Sequence, residues 1–354
     1  MNHLKQIAAK LDEYGLDAML LSSEPGEYYG IGFHGEGFVI VTQDECRFFT
    51  DSRYIEAARK QVTGAAIFMT DRGRNYRAAL SQAVTEMGIK KMGFEDGYMT
   101  VAQHKLYSSV LPCELEPAQD LVNHLRAAKD EEEIAFMVEA QRITDAVFDE
   151  IIKFIRPGLT EQEVAAKLVY EMLRMGASKV SFDPIVVSGP NGSLPHGIPS
   201  DKKIESGEFV TLDFGCMYGG YCSDMTRTVA VGEPTEEMRK VYNTVLQAQL
   251  AGIASTKAGI PGKEIDGAAR KVIEDAGYGE YFGHGYGHSL GLEIHESPNA
   301  SSSEEKILPV GAVVSAEPGI YLPGKFGVRI EDVVVCTDDG CVVLTKSPKK
   351  LLVL

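Results

Sequence analysis

The chain has 354 residues and a formal net charge of −16. That length exceeds what a single hydrophobic core normally fills, so two domains are expected. The acidic balance, with no tract of Lys and Arg, excludes nucleic acid and anionic membrane as partners, because phosphate binding needs clustered cations.

The first residues, MNHLKQIAAKLDEYG, mix charges with apolar residues at helical spacing. They predict a helix over about 3–15 and lack the apolar core of a signal peptide. Strands are predicted at DAMLL, FVIVT, CRFFTD and AAIFM, a helix at SRYIEAARKQ, and further helix and strand to about residue 115. This is the pattern of an α/β domain. Within it, EYYGIGFHGEGF reads as a glycine-rich connector whose His34 either visits an active site or sits in a turn. At LVNHLRAAKDEEEIAFMVEAQRITDAVFDEII the pattern changes to a long amphipathic helix, dividing the chain into residues 1–125 and 126–354. No apolar run is long enough to span a bilayer. Six cysteines without CxxC spacing or a secretory signal predict reduced thiols in a cytoplasmic protein.

The second part carries an internal repeat. PGLTEQEV at 157–164 aligns with AGIPGKEI at 258–265, and the helices that follow end at Gly176 and Gly277, in each case 101 residues apart. Thr160 and Glu163 form a capping box. Each half reads helix, helix, strand hairpin. In the first hairpin, FVTLDFGCMYGGYCSDMTRTVAV, a two-residue loop at Tyr218 and Gly219 would set Asp213 opposite Asp224. A one-residue slip would leave them diagonal neighbours. In the second, VVSAEPGIYLPGKFGVRIEDVVV, a turn centred on Gly324 sets Glu317 opposite Glu331.

An unpaired carboxylate inside an apolar strand is very unfavourable. Four of them on two matching hairpins therefore predict either carboxylate pairs sharing a proton or a cation site. The stretch GHGYGHSLGLEIHE at 283–296 adds histidines on a glycine-rich backbone able to pass close to a ligand. Four carboxylates plus a histidine supply enough donors for two divalent metals.

The ordered set Asp213, Asp224, His288, Glu317 and Glu331 resembles the five ligands of the pita-bread metallopeptidases. That family includes methionine aminopeptidase, Xaa-Pro dipeptidase (prolidase) and aminopeptidase P. The resemblance rests on LDFG, SDMTRT, GHGYGHSLGLEIHE, SAEPGIY and RIEDVVV, and on an N-terminal part similar to the smaller domain of prolidase and creatinase. It implies an α/β N-terminal domain followed by an α+β pita-bread catalytic domain with an internal pseudo-two-fold repeat. It further implies a cytoplasmic, homodimeric exopeptidase that cleaves Xaa-Pro bonds of proline-containing peptides. Two metal ions, Mn2+ first and Co2+, Zn2+ or Fe2+ as alternatives, are part of that expectation. Asp213 would hold one metal, Asp224 and Glu331 would bridge both, and His288 and Glu317 would complete the second, with Glu317 also moving a proton. His196 and His295 match substrate-facing histidines, and Arg329 an arginine beside the bridging glutamate. His284 and Glu296 match supporting positions, while Phe182 and Tyr321 are candidates for a proline pocket. Asn299 stands where many prolidases have an arginine for the substrate carboxylate, which tilts the expectation from dipeptides toward longer peptides. A methionine aminopeptidase-like enzyme, or a binding protein on the same fold, is the alternative.

Overall fold

The computed structural model describes residues 2–71 and 75–354. The chain divides into two compact units, Met1–Arg126 and Ala127–Leu354. Among the described residues no helix is long and apolar enough to cross a membrane.

The first unit is a six-stranded sheet. Its strands are β1 (Ala18–Leu21), β2 (Gly37–Thr42), β3 (Cys46–Thr50), β4 (Ala66–Met69), β5 (Lys91–Phe94) and β6 (Glu114–Pro117), ordered β4-β3-β2-β1-β5-β6. The β1–β2 and β2–β3 pairs are antiparallel and the others parallel. Its helices are α1 (Leu4–Lys10), α2 (Glu24–Ile31), α3 (Ile55–Gln61), α4 (Tyr76–Glu86) and α5 (Val101–Val110), with α6 following at Gln119–Ala127. Alternate residues Ala18, Leu20, Phe38, Ile40 and Phe49 meet Leu80, Ala83 and Val84 of α4 in one apolar layer. The helix expected over 3–15 stops at Lys10 and passes into a 3₁₀ turn, Asp12–Tyr14, closed by Gly15 at φ 64°. The connector at 27–38 is half helix. EYYGI completes α2, which Ser23 caps by accepting from the Gly26 N–H and which Gly32 ends in the left-handed region. The ring of His34 stacks on Tyr28 at 3.9 Å.

Glu27 of α2 is buried, and its Oε2 has no hydrogen-bond partner among the described residues. Burial, and then the charge of buried Glu95, push its carboxyl up to about 8. Since that lies above the unfolded value, stability from this group is complete below about pH 4.5 and is lost as pH rises through 8. Urea titrations of the first unit's transition at pH 5 and pH 8.5 should therefore show wild type losing about 2–4 kcal/mol more than Glu27→Gln over that interval. An unchanged slope in Glu27→Gln would contradict this origin.

In the second unit the helix expected from residue 121 is interrupted. Asp130 caps a new helix, α7 (Glu131–Phe154), through a capping box with Glu133, and the Lys129 N–H is drawn off to the Gly311 carbonyl. Then come α8 (Glu161–Arg174), β7 (Lys179–Val180), β8 (Ile185–Ser188), β9 (Glu208–Asp213), β10 (Cys216–Tyr218), β11 (Tyr221–Cys222) and β12 (Thr226–Val231). The second half repeats the plan with α9 (Glu236–Ser255), α10 (Gly262–Asp275), β13 (Gly287–Ser289), β14 (Glu296–Ala300), β15 (Val313–Ala316), β16 (Gly319–Leu322), β17 (Phe326–Arg329), β18 (Asp332–Cys336) and β19 (Cys341–Val343). The helices α8 and α10 are followed by Gly176 and Gly277, both at positive φ, and preceded by matching bridges, Thr160 to Lys203 and Pro261 to Ile307. Each half has its own core. Phe148, Leu168, Val210 and Val229 belong to one, and Val245, Ile265, Val314 and Val334 to the other. The fold is thus an α/β domain followed by an α+β pita-bread domain with a pseudo-two-fold repeat. All six cysteines are free thiols, including Cys336 and Cys341, which face each other across β18 and β19.

Candidate metal centre

The two hairpins deliver their acids with different registers. Strand β9 pairs with β12 so that Asp213 faces Thr226, not Asp224. The turn lies at Gly219 and Gly220, one residue beyond the expected Tyr218 and Gly219. Both glycines have positive φ, 55° and 82°, as a two-residue hairpin turn of this hand requires, and tyrosine takes that conformation poorly. The slip preserves parity, so Asp224 remains on the face of Asp213 as its diagonal neighbour. In the second hairpin Ala316 faces Asp332 and Gly319 faces Arg329, a register that sets Glu317 against Glu331 as expected. His288 lies at the centre of β13, beside β15. A Cβ on Gly287 would sit 2.0 Å from the Ser315 carbonyl oxygen, so only glycine permits this approach.

Asp213, Asp224, His288, Glu317 and Glu331 all line one cavity of about 390 Å³. His288 Nε2 is 3.5 Å from Asp224 Oδ2 and 3.4 Å from Glu317 Oε1. One donor atom each from Asp224, His288 and Glu331 lies within 4.8 Å of the others. Because His288 Nδ1 is 3.2 Å from the Ser289 carbonyl, which can only accept, the proton sits on Nδ1 and the Nε2 lone pair faces the acids. The Ser315 hydroxyl accepts from the His288 N–H and donates to Glu317.

Burial raises Asp224 and Glu331 well above the ordinary carboxylate range, and repulsion among the neighbouring acids adds to it. Burial also raises Glu317, against the opposing influence of His284 and Arg329. Burial lowers His284, His288 and His295, keeping the rings neutral. Asp213 Oδ1, Asp224 Oδ1 and Glu331 Oε1 are buried with no hydrogen-bond partner among the described residues. Orphaned carboxylate oxygens beside a neutral imidazole nitrogen fit a divalent cation, whose charge would replace the missing donors and reverse these shifts.

Arg329 is 4% exposed and is placed differently from expectation. Its NH2 donates to Asp213 Oδ2 at 2.5 Å, while Nε lies 4.0 Å from Glu317. It reaches Glu331 only through Thr226, whose hydroxyl accepts from Arg329 Nε and donates to Glu331 Oε2 at 2.7 Å. Burial disfavours its charge, but the Tyr321 hydroxyl, Asp213 and Glu317 outweigh that and hold the guanidinium protonated. Tyr321 does not line the cavity. Its hydroxyl accepts from Arg329 NH1 and donates to His284 Nε2, whose Nδ1 donates to the Gly285 carbonyl. Glu296 forms a buried ion pair with Lys129 at 3.0 Å. Asn299 lies outside the cavity wall, with its N–H bonded to Glu304.

His196 and His295 are exposed on that wall, and His295 meets the His288 ring edge-on at 4.4 Å. Phe182, Pro184, Ile185, Ile198 and Ile294 form its apolar part, and no Lys or Arg among the described residues lines it. Thr226 and Ser315 were missing from the sequence-derived set. Each lies two residues from a candidate ligand in an alternating strand, the signal by which they were detectable.

Residues 135–338 match the metallopeptidase family M24, and residues 3–128 the creatinase/prolidase N-terminal domain. The chain belongs to the M24 metallopeptidases. A relative described as Xaa-Pro dipeptidase, from Pyrococcus horikoshii, is 36% identical over 353 residues, covering 99% of this chain and 98% of its own. Two solved structures superpose along the whole length. A Bacillus anthracis protein described as Xaa-Pro dipeptidase has a TM-score of 0.96 at 44% identity, with 99% of each chain covered. A Thermotoga maritima protein described as X-Pro aminopeptidase has a TM-score of 0.93 at 37% identity, with 100% of each covered. The M24 assignment makes this a metal-dependent peptidase, and these relatives divide between the names Xaa-Pro dipeptidase and X-Pro aminopeptidase.

Proposed function

We propose that this M24 chain is a dinuclear exopeptidase that hydrolyses the bond between an N-terminal residue and proline. The observation that carries the reading is the buried group of four carboxylates and one neutral histidine with three unpartnered oxygens. Asp213, Asp224, His288, Glu317 and Glu331 would hold two divalent ions; a carboxylate-rich set with one histidine accepts Mn2+, Co2+, Zn2+ or Fe2+, and Mn2+ comes first by resemblance to the family. When bound, such ions polarise the scissile carbonyl and lower the pKa of water.

The protein's own groups supply the rest. Glu317, whose Oε1 lies close to His288 and accepts from the Ser315 hydroxyl, would carry a proton from the attacking water to the leaving nitrogen. His196 and His295 offer hydrogen bonds to the substrate from the cavity wall. Phe182, Pro184 and Ile185 form an apolar wall suited to a proline ring. Among the described residues no Lys or Arg lines the wall to pair with a dipeptide's free carboxylate, which favours peptides extending beyond proline. We place the enzyme in the cytoplasm as a homodimer; its native mass by light scattering tests the second point.

The test is turnover of Xaa-Pro and Xaa-Pro-Yaa peptides by Mn2+-loaded protein. The longer peptide is expected to be cleaved faster, and inertness toward both would overturn the reading. Release of Met from Met-Ala peptides with Xaa-Pro substrates inert would instead indicate a methionine aminopeptidase-like enzyme. His295→Ala should retain its metal and lose about a hundredfold in kcat/KM. Loss of metal in that variant would make His295 a ligand.

A further inference from the structure

Glu161, the first residue of α8, is fully buried yet lies outside the cavity. Among the described residues its carboxylate is met by dipoles, not by a cation. Oε1 accepts from the Ser188 N–H at 2.6 Å and the Ser188 hydroxyl at 2.9 Å. Oε2 accepts from the Ser200 N–H at 3.1 Å and the Ser200 hydroxyl at 2.6 Å. Asn191 Nδ2 is 3.2 Å from both oxygens. Its place at a helix N-terminus also favours the negative charge.

These donors belong to the two ends and the body of one loop, 188–200. That loop carries His196, Gly197, Ile198 and Pro199 along the cavity, and its Pro195 carbonyl accepts from Arg329 NH1 at 3.2 Å. His196 makes no side-chain hydrogen bond among those described, so the loop backbone sets its place. Ile198, 86% exposed, has no packing that would fix the segment by itself. Closing a loop of this length costs chain entropy, which a buried carboxylate gripping both ends offsets.

We propose that Glu161 is the positioning residue of the substrate wall, acting through Ser188, Asn191 and Ser200 to hold His196 at the cavity. The inference rests on the exopeptidase reading above and adds a residue with no contact to the candidate ligands.

Kinetics of the full-length, Mn2+-loaded protein on an Xaa-Pro-Yaa peptide provide the test. Glu161→Gln keeps the size of the side chain but turns one acceptor into a donor facing donors. It should lower kcat/KM about tenfold to a hundredfold with bound metal unchanged. In a His196→Ala background the same change should cost less than about threefold, since both act through one group. Amide exchange over 189–200 should rise in Glu161→Gln and stay constant elsewhere in the second unit, a readout independent of activity. Wild-type kinetics, a fully additive loss with His196→Ala, loss of metal, or unchanged exchange would each overturn the proposal. If Glu161→Gln does not fold, Ser200→Ala and Asn191→Ala, each removing one donor, carry the same cycle and the same exchange measurement with smaller losses. Inactive wild type combined with raised exchange in the variant would count against the exopeptidase reading and leave the anchor standing.

Discussion

Glu331→Gln and Asp224→Asn are each expected to lower kcat on an Xaa-Pro peptide by at least about a thousandfold, equivalent to roughly 4 kcal/mol in the barrier. Metal analysis should show a loss of at least one of the two ions, because an amide carries no charge and coordinates less strongly. Stability should move in the opposite direction when no metal is bound. Asp224 and Glu331 are desolvated beside each other and beside Asp213 and Glu317, and burial followed by that repulsion raises both carboxyls. Groups whose folded pKa lies above the unfolded value weaken the fold as pH rises through that interval. Replacing either one by its neutral isostere removes a buried negative charge, so the metal-free variants should melt above metal-free wild type at pH 8. Adding Mn2+ should then raise wild type past both variants, since a ligand that binds only the folded state stabilises it. Metal-free variants that melt below metal-free wild type would show that Asp224 and Glu331 have a structural role beyond their charge. Full turnover in either variant would remove that residue from the centre.

The same electrostatic logic explains why the centre is legible in the sequence. Asp213, Asp224, Glu317 and Glu331 interrupt apolar strands, and a carboxylate there needs a reason. The Glu317–Glu331 register followed from one unambiguous turn, Pro323-Gly324. The Asp213–Asp224 register did not, because Tyr218, Gly219 and Gly220 offer two turn positions and only backbone φ separates them. Helix α2 was hidden for a related reason. Pro25, Gly26 and Gly30 are weak helix signals, and tertiary packing of Tyr29 and Ile31 overrides them. Partner choice was least legible of all. Arg329 pairs with Asp213, which is 116 residues away, and sequence spacing cannot say which of two nearby carboxylates a guanidinium will meet. Glu161 was indistinguishable from any acidic residue in a first helical turn, since its donors at Ser188, Asn191 and Ser200 come from a loop that only the folded chain brings back to α8.

Asp332→Ala should be the most destabilising change outside the centre. Asp332 is fully buried, and its Oδ1 accepts from Arg227 NH2 at 2.8 Å, while Oδ2 accepts from Gln249 at 3.0 Å and Lys349 at 2.6 Å. Removing the carboxylate leaves the buried Arg227 guanidinium without its counter-ion, a defect that costs about 3–5 kcal/mol. For a unit of this size that corresponds to a melting-temperature decrease of about 6–20 °C. Many buried ion pairs can be exchanged for apolar residues with little loss, but this one should not tolerate it. Arg227 also donates to the carbonyls of Thr226, Glu331, Ser347 and Pro348. An Arg227→Met, Asp332→Leu double variant would take a donor from each of those carbonyls, of which Thr226 keeps the Glu331 N–H, and would also strip Gln249 and Lys349 of their acceptor, so it should be no more stable than Asp332→Ala. Recovery to near wild-type stability in the double variant would show that the charge pair alone matters. The consequence reaches the cavity, because Arg227 ties the backbone of Thr226 to that of Glu331, and Thr226 in turn donates to the Glu331 carboxylate. At a temperature where Asp332→Ala is still folded, its kcat/KM should fall by about tenfold through this displacement, although Asp332 lies outside the cavity wall.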